Sequence, residues 1–430
     1  MSLEKCITDL LNIKTDDIEN ISPVENGDGL SIKVKLKSGD IKCPLCGGSV
    51  KIHGYYDRKL IHSTLVNRKC VIIYSQRRYR CDNCDYTFHE TNPFINTKEN
   101  ITYETKINVL KDLKYVNSTY TGTAIRYNIS PTKVLRIFDN CVDIKRKPLP
   151  EVLSIDEHYF PGSSFDSLYM CILMNFDTGE IIDVLPDRKK DYLISYFSNI
   201  KNSTLNDKTH TSELNNVKYV SIDLYQNYKD IAATYFPQAC LCGDSFHILE
   251  HLTNCFNSVR LRCRNSTEDE NFKYLLTKFK YIFRTGADLD NKSKYNSRLK
   301  QYINYRGIMN LLFDRFPDLK KAYELKEEYI EFNSTATYDN AKEKLSVLIS
   351  EFGEANIKEY DEFYNLLINW NQEIINSFLV YHNRRINNSY IESRNSSIEK
   401  LISNANGFTN FKRTRNRILY CLNKNDTYKI

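Results

Sequence analysis

The sequence predicts a multidomain α+β protein, and three patterns lead to that class. Two C-x-x-C pairs, Cys43/Cys46 and Cys81/Cys84, bracket an alternating stretch. Short apolar runs ending in Asp156 and Asp223 alternate with helical segments after residue 150, as in an α/β sheet. Residues 260–380 then show apolar side chains at three- and four-residue spacing and no convincing strand, which predicts an all-helical insertion.

Taken in order, residues 1–38 read as a short helix and a strand. Residues 39–95 form the cysteine-bearing module. Pro44, Gly47 and Gly48 supply turn chemistry at the first cysteine pair, and Asp82 and Asn83 supply it at the second. The stretch Cys70-Val71-Ile72-Ile73-Tyr74 alternates as a strand would. Four thiolates at this spacing make a closed tetrahedral site, the structural type of zinc ribbon. Such a site can contribute ~10–16 kcal/mol to the folding of a small unit. The thirteen cysteines are odd in number, and no export signal precedes them, so a disulfide framework is not expected. His53, His62 and His89 lie nearby, and with four cysteines present they are expected at the surface or on phosphate rather than on the metal.

Residues 42–80 carry nine Lys or Arg against one acid, Asp57, which suggests a polyanionic partner. Arg77, Arg78 and Arg80 are the candidate contacts in this module. The whole chain of 430 residues has a net charge of +6, which alone decides little. Residues 101–147 read as helices: Thr105–Tyr115, Tyr120–Tyr127 and Thr132–Cys141. Ser130 provides an N-cap and Pro131 a first-turn proline for the last of these. A helix-turn-helix reads this way, with Arg126, Lys133 and Arg136 facing phosphates or bases. An ordinary three-helix linker reads the same way, and the position after a basic module favours DNA. Lys147 to Pro150 is a proline-bearing linker.

Beyond the linker, strands are expected at Val152–Ile155, Leu168–Phe176, Ile181–Leu185, Val217–Ile222 and Ala239–Cys242, with helices after 189, 225 and 246. Asp156 and Asp223 fall at strand ends, where neighbouring strands can bring them together. Glu392, at the start of a helix beyond the insertion, can close the set. Three carboxylates suit hard divalent cations, Mg²⁺ or Mn²⁺, and a metal pair ~3.5–4 Å apart serves phosphoryl transfer. Any one of these acids alone reads as a turn or cap residue.

The chain is similar to the bacterial insertion-sequence transposases of the ISL-three family. The likeness covers roughly 40–425 and rests on Cys43-Pro44-Leu45-Cys46-Gly47 with Cys81-Asp82-Asn83-Cys84, Ser154-Ile155-Asp156-Glu157-His158, Ser221-Ile222-Asp223-Leu224-Tyr225 and Gly243-Asp244-Ser245-Phe246-His247. It continues in Glu392-Ser393-Arg394-Asn395, Lys400 and Gly407-Phe408-Thr409-Asn410-Phe411. Ser393 departs from the glycine usual after the glutamate, and Asn387-Asn388-Ser389-Tyr390 departs from the usual Ser-Asn-Gly turn. The resemblance implies a ribonuclease-H-like core in 151–259 and 381–425, with Asp156, Asp223 and Glu392 as catalytic magnesium ligands. It also implies binding of double-stranded DNA at the element's terminal inverted repeats and at the target, with Arg394 and Lys400 steadying the backbone. A homodimer or larger synaptic complex follows from the need to join two ends. Asp244 could substitute as a ligand or support the site, and His247 could touch phosphate or pack. A regulator without chemistry and a nuclease without joining are the rival readings. No run is long and apolar enough to span a membrane and no signal segment is visible, so a cytoplasmic, nucleoid-associated protein is expected.

Overall fold

Strand β4 (Cys70–Cys81) organises the first of two compact units, Met1–Lys145 with Ser396–Ile430. The structure, a computed structural model, describes residues 5, 8, 9, 12, 18–24, 29–63, 69–96, 99–160, 167–204, 212–405 and 408–430. Cys6, Arg68, Gly407, most of the short helix expected in 1–38 and part of the polar loop after residue 204 lie outside the described residues. Strands β1 (Ile18–Val24), β2 (Leu30–Leu36), β3 (Val50–Ile61) and β5 (Thr87–His89) complete the sheet, in the order β1-β2-β4-β3 with β5 also on β4. The alternation expected at 70–74 is present: Cys70, Ile72 and Tyr74 are buried, with Ile32, Val34 and Leu60 beside them. Residues 18–36 hold two strands where one was expected. Edge strand β1 contains Pro23 and buries only Ile21, so it shows no clean period-two pattern.

Burial corrects two assignments in this unit. Arg77 is 2% exposed, and its guanidinium meets Glu90 at 2.9 Å, Glu19 at 3.0 Å and the Leu36 carbonyl, so it does not present to DNA. Arg78, next along the strand, is exposed, and Arg80 is partly exposed and paired with Asp85 at 2.9 Å. Arg77 lies on the strand face opposite Cys70, Ile72 and Tyr74, and Glu90, Glu19 and the Leu36 carbonyl closing over it are what bury it. Arg77→Ala should destabilise the unit by about 3–5 kcal/mol, because buried Glu90 loses its partner. Thermal or urea unfolding checks this, and the salt dependence of DNA binding should not change. His62, expected at the surface, is buried, with Nδ1 3.0 Å from Thr102 Oγ1.

Helices α1 (Tyr103–Leu113), α2 (Tyr120–Tyr127) and α3 (Pro131–Cys141) follow. Thr102, Thr119 and Ser130 cap them by accepting from the amides of Thr105, Gly122 and Lys133. Asn128 closes α2 at φ 53°, the left-handed position that an asparagine tolerates. Val109, Leu110, Leu113, Val134 and Phe138 are the buried faces of α1 and α3. Arg136 is exposed and Lys133 partly so, whereas Arg126 is held by Asp112 at 2.5 Å.

The second unit, Arg146–Asn395, is built on a five-stranded sheet. Strands β6 (Val152–Tyr159), β7 (Tyr169–Asn175) and β8 (Ile181–Leu185) form an antiparallel meander. Strands β9 (Tyr219–Ile222) and β10 (Cys240–Gly243) add to β6 in parallel, giving the order β10-β9-β6-β7-β8. Helices α4 (Lys190–Thr204) and α5 (Gln226–Tyr235) supply the crossovers, burying Leu193, Phe197, Tyr228 and Ile231. The 22-residue helix α6 (Ser245–Ser266) leaves the sheet after β10 and enters the helical block. That block contains α7 (Glu270–Lys278), α8 (Tyr305–Arg315), α9 (Pro317–Thr335), α10 (Tyr338–Glu354), α11 (Asp361–Asn369) and α12 (Asn371–Asn376), packed through residues such as Phe256, Leu319, Leu345 and Phe363.

The insertion is not all-helical. A hairpin, β11 (Lys294–Asn296) and β12 (Gln301–Ile303), stands between α7 and α8. Strands of three residues are too short to show a period in sequence. A second hairpin, β13 (Val380–Tyr381) and β14 (Arg384–Arg385), turns at His382 and Asn383, both with positive φ. Positive φ at both central positions is the geometry of a type I′ turn, here without the glycine that usually announces it. The chain then enters α13 (Ser389–Asn404), while the last helix, α14 (Phe411–Leu422), belongs to the first unit. Among the described residues no helix is long and apolar enough to cross a membrane.

Candidate functional site

Register brings the acids together. Ile155 of β6 lies opposite Ile222 of β9, and Ile222 lies opposite Gly243 of β10. Asp156, Asp223 and Asp244 are the next residue on each of the three parallel strands. They therefore share a face in one row, with strands ~4.8 Å apart. The strand end expected at Asp156 is corrected in one respect: β6 continues to Tyr159, paired from Asp156 onward with β7 alone. What ends at Asp156 is its pairing with β9, so the carboxylate still falls where the parallel strands part.

Glu392 reaches the same region from the first turn of α13. A carboxylate there is favoured by the helix dipole. The segment before it is fixed by Asn388, which is fully buried: its amide donates to Asp244 Oδ1 at 3.0 Å and its side chain to the Ile155 carbonyl at 3.4 Å. Arg385 anchors the same segment through Ser377 and Asn333 and lies over the Phe378 ring. Ser393 sits inside α13 with no positive φ, so the side chain that replaces the family's glycine is accommodated.

His247 lies at the centre, and sequence reasoning left its role open. It is the third residue of α6, one helical turn beyond Asp244. Its Nδ1 is 3.7 Å from Asp223 and 3.5 Å from Glu250; its Nε2 is 3.5 Å from Glu392 and 3.9 Å from Asp244. Two sets of possible ligand atoms gather within 4.8 Å: Asp156, Asp223 and His247, and Asp244, His247 and Glu392. Asp156, Asp223 and Glu392 thus converge on one region, joined through His247 rather than forming one tight trio.

The electrostatics match this crowding. Burial, then the negative charge of Glu392, holds the Asp156 carboxyl up at about 8. Burial likewise raises Asp244. Burial works to lower His247, but Glu392 and the fields of Asp223, Asp244 and Asp156 push it up to about 10, so the imidazolium is the acids' counter-charge. Asp244 Oδ2, 1% exposed as a side chain, has no hydrogen-bond partner among the described residues. Oxygen donors packed this closely, one of them buried and unpartnered, fit a hard divalent cation. Glu157, although adjacent, points its carboxylate to Arg188 and Tyr228 instead.

Asn395, named in the block after Glu392 but given no role from sequence, also belongs here. It lies one helical turn after Glu392, and its Nδ2 donates to Asp156 Oδ2 at 2.8 Å, while the Glu157 amide donates to Oδ1 at 2.8 Å. The helical spacing was the available signal. Asn395→Ala should lower divalent-metal affinity about 10- to 100-fold, as loss of a ligand-orienting hydrogen bond does. A Mn²⁺ titration checks it, and unchanged affinity would remove Asn395 from the site. Arg394 is tied to the Gly179 carbonyl at 3.1 Å, and Lys400 is exposed.

The cysteines form the second cluster. Cys43 Sγ lies 3.7 Å from Cys84 Sγ, and Cys46 Sγ lies 3.5 Å from Cys81 Sγ, all four within 4.8 Å. Metal–sulfur bonds of about 2.3 Å in a tetrahedron require sulfur–sulfur edges of about 3.8 Å. The amide of Cys84, followed by that of Asn83, brings the Cys81 thiol down to about 7, whereas Cys46 and Cys84 are pushed up, so the crowded sulfurs hold their protons unequally until a metal displaces them. This cluster can hold a metal such as zinc.

A family model described as a transposase matches residues 153–418, more than half of the chain and the whole of the acidic site. The chain belongs to that family, the ISL-three (ISL3) insertion-sequence transposases. No curated protein matches the chain.

Proposed function

We propose that this transposase binds the ends of its insertion sequence, cuts them and joins them to target DNA, using Asp156, Asp223 and Glu392 as a DDE-type catalytic set. The row of carboxylates at the parting of three parallel strands, with Glu392 brought against it, carries this reading. The meander followed by parallel strands supports a ribonuclease-H-like core interrupted by the insertion. Mg²⁺ or Mn²⁺ would be held by Asp156, Asp223 and Glu392, with Asp244 beside them. Bound there, it would supply Lewis-acid stabilisation of the charge that develops on phosphate oxygens. The protein's part is positional. Asn395 and the Glu157 amide aim Asp156, Asn388 holds Asp244 and the start of α13, and His247 balances the acids until the metal binds.

Zinc in the cysteine cluster would brace the basic module, with Arg78 and Arg80 available to phosphates and Arg77 internal. Lys133 and Arg136 of α3, with Arg394 and Lys400, would add contacts. Neutralised phosphates release counterions, so binding should weaken with salt at a log–log slope of roughly −0.9 per contact. Two ends must be held together, which calls for a homodimer or larger complex, working in the cytoplasm at the nucleoid.

The test incubates the protein with labelled element ends, Mg²⁺ and a target plasmid. Joined product is the expected result. Cutting without joining would make the protein a nuclease, and binding without either would make it a regulator.

A further inference from the structure

The hairpin β11–β12 is unlike the helical block around it. Residues 291–305 contain four cations (Lys292, Lys294, Arg298 and Lys300) and no acid. Tyr295 and Tyr302 face one another across the two strands, with ring centroids 5.3 Å apart. They are 56% and 75% exposed, in a unit where most described aromatic side chains are buried or partly buried.

The other face of the hairpin is anchored. Asn296 is buried, and its Oδ1 accepts from the amides of Arg298 and Leu299 at 3.0 and 3.2 Å. Leu299 and Ile303 pack on the core. Arg306 and Asp290 pair at the base at 2.5 Å. Arg298 is held too, donating to the Glu270 carbonyl and lying over the Tyr274 ring. Lys292, Lys294 and Lys300 are exposed and make no ion pair among the described residues. The result is an anchored hairpin that offers an exposed tyrosine pair and, next to it in sequence, ammonium groups that make no ion pair among the described residues. A cross-strand tyrosine pair alone can serve hairpin stability. Three exposed lysines that make no such ion pair do not serve it, because an exposed ammonium group without a partner adds nothing to strand pairing.

We infer that this hairpin is a DNA contact of the second unit: Tyr295 and Tyr302 stack on unpaired bases, and Lys292, Lys294 and Lys300 meet the flanking phosphates. Aromatic faces with interleaved cations are the chemistry that single strands select. The inference rests on the functional reading above, since DNA opened for cutting and joining offers such bases.

The test measures binding of the full chain to a paired duplex and to the same duplex ending in a short unpaired tail. Tyr295→Ala with Tyr302→Ala should weaken binding of the tailed DNA about tenfold and leave the paired duplex nearly unchanged. Lys292→Gln with Lys294→Gln and Lys300→Gln should lower the salt slope on tailed DNA by about 2, given ~0.7 per phosphate on a single strand. These side chains are exposed, so thermal midpoints should match the wild type. Variants that bind both DNAs like wild type, while Glu392-dependent joining persists, would overturn the hairpin assignment alone. Equal weakening on both DNAs would overturn stacking on unpaired bases. A wild-type chain that binds neither DNA would sink the hairpin together with the functional reading.

Discussion

Glu392→Gln is expected to cut the yield of joined product by about 10³-fold or more, equivalent to ~4 kcal/mol of transition-state stabilisation. The amide keeps the size and helical position of Glu392 but removes the charge. The substitution should spare folding, because Glu392 is partly exposed and what it loses against the His247 imidazolium is offset by relief of repulsion with the neighbouring acids. The thermal midpoint of the metal-free variant should therefore stay close to that of the wild type. Asp156→Asn should behave alike, since burial already presses that carboxyl towards its neutral form. Asp244→Asn should cost less, about 10- to 100-fold, if Asp244 orients rather than grips. Joining assays on the three variants separate these roles, and wild-type joining by Glu392→Gln would remove the glutamate from the chemistry.

The second large effect concerns the sulfur cluster. Removing its metal, or changing Cys81 to serine, should unfold the β3–β4 module, because such sites supply ~10–16 kcal/mol to small units. Cys43 and Cys46 precede β3 while Cys81 and Cys84 close β4, so the metal would clamp the ends of the longest strand pair in the sheet. DNA binding should fall with it, since Arg78 and Arg80 sit on β4. Metal analysis should find one zinc per chain, and chelation should expose the module to protease. A chain that folds, resists protease and binds DNA without zinc would contradict this.

Much of the site was legible because chemistry and local pattern coincide. The paired cysteines advertise their cluster through spacing alone. Asp156 and Asp223 follow short apolar runs that read as buried strands. Glu392 is different: 169 residues separate it from Asp223, and family resemblance rather than periodicity singled it out. His247 and Asn395 stayed unassigned because their importance depends on which carboxylate each side chain meets in three dimensions. Arg77 was misplaced for the same reason. A guanidinium among Arg78 and Arg80 reads as exposed until Glu90 and Glu19 are seen closing over it. The two hairpins escaped notice because strands of two or three residues carry no period, and His382-Asn383 turns without glycine.

Joint grip on a metal by the three separated carboxylates is tested most directly by Mn²⁺ soaked into crystals. Anomalous difference maps should place manganese within ~2.0–2.3 Å of carboxylate oxygens of Asp156, Asp223 and Glu392, with occupancy lost in Glu392→Gln. Manganese bound elsewhere, or a site that fills as well without Glu392, would contradict the account.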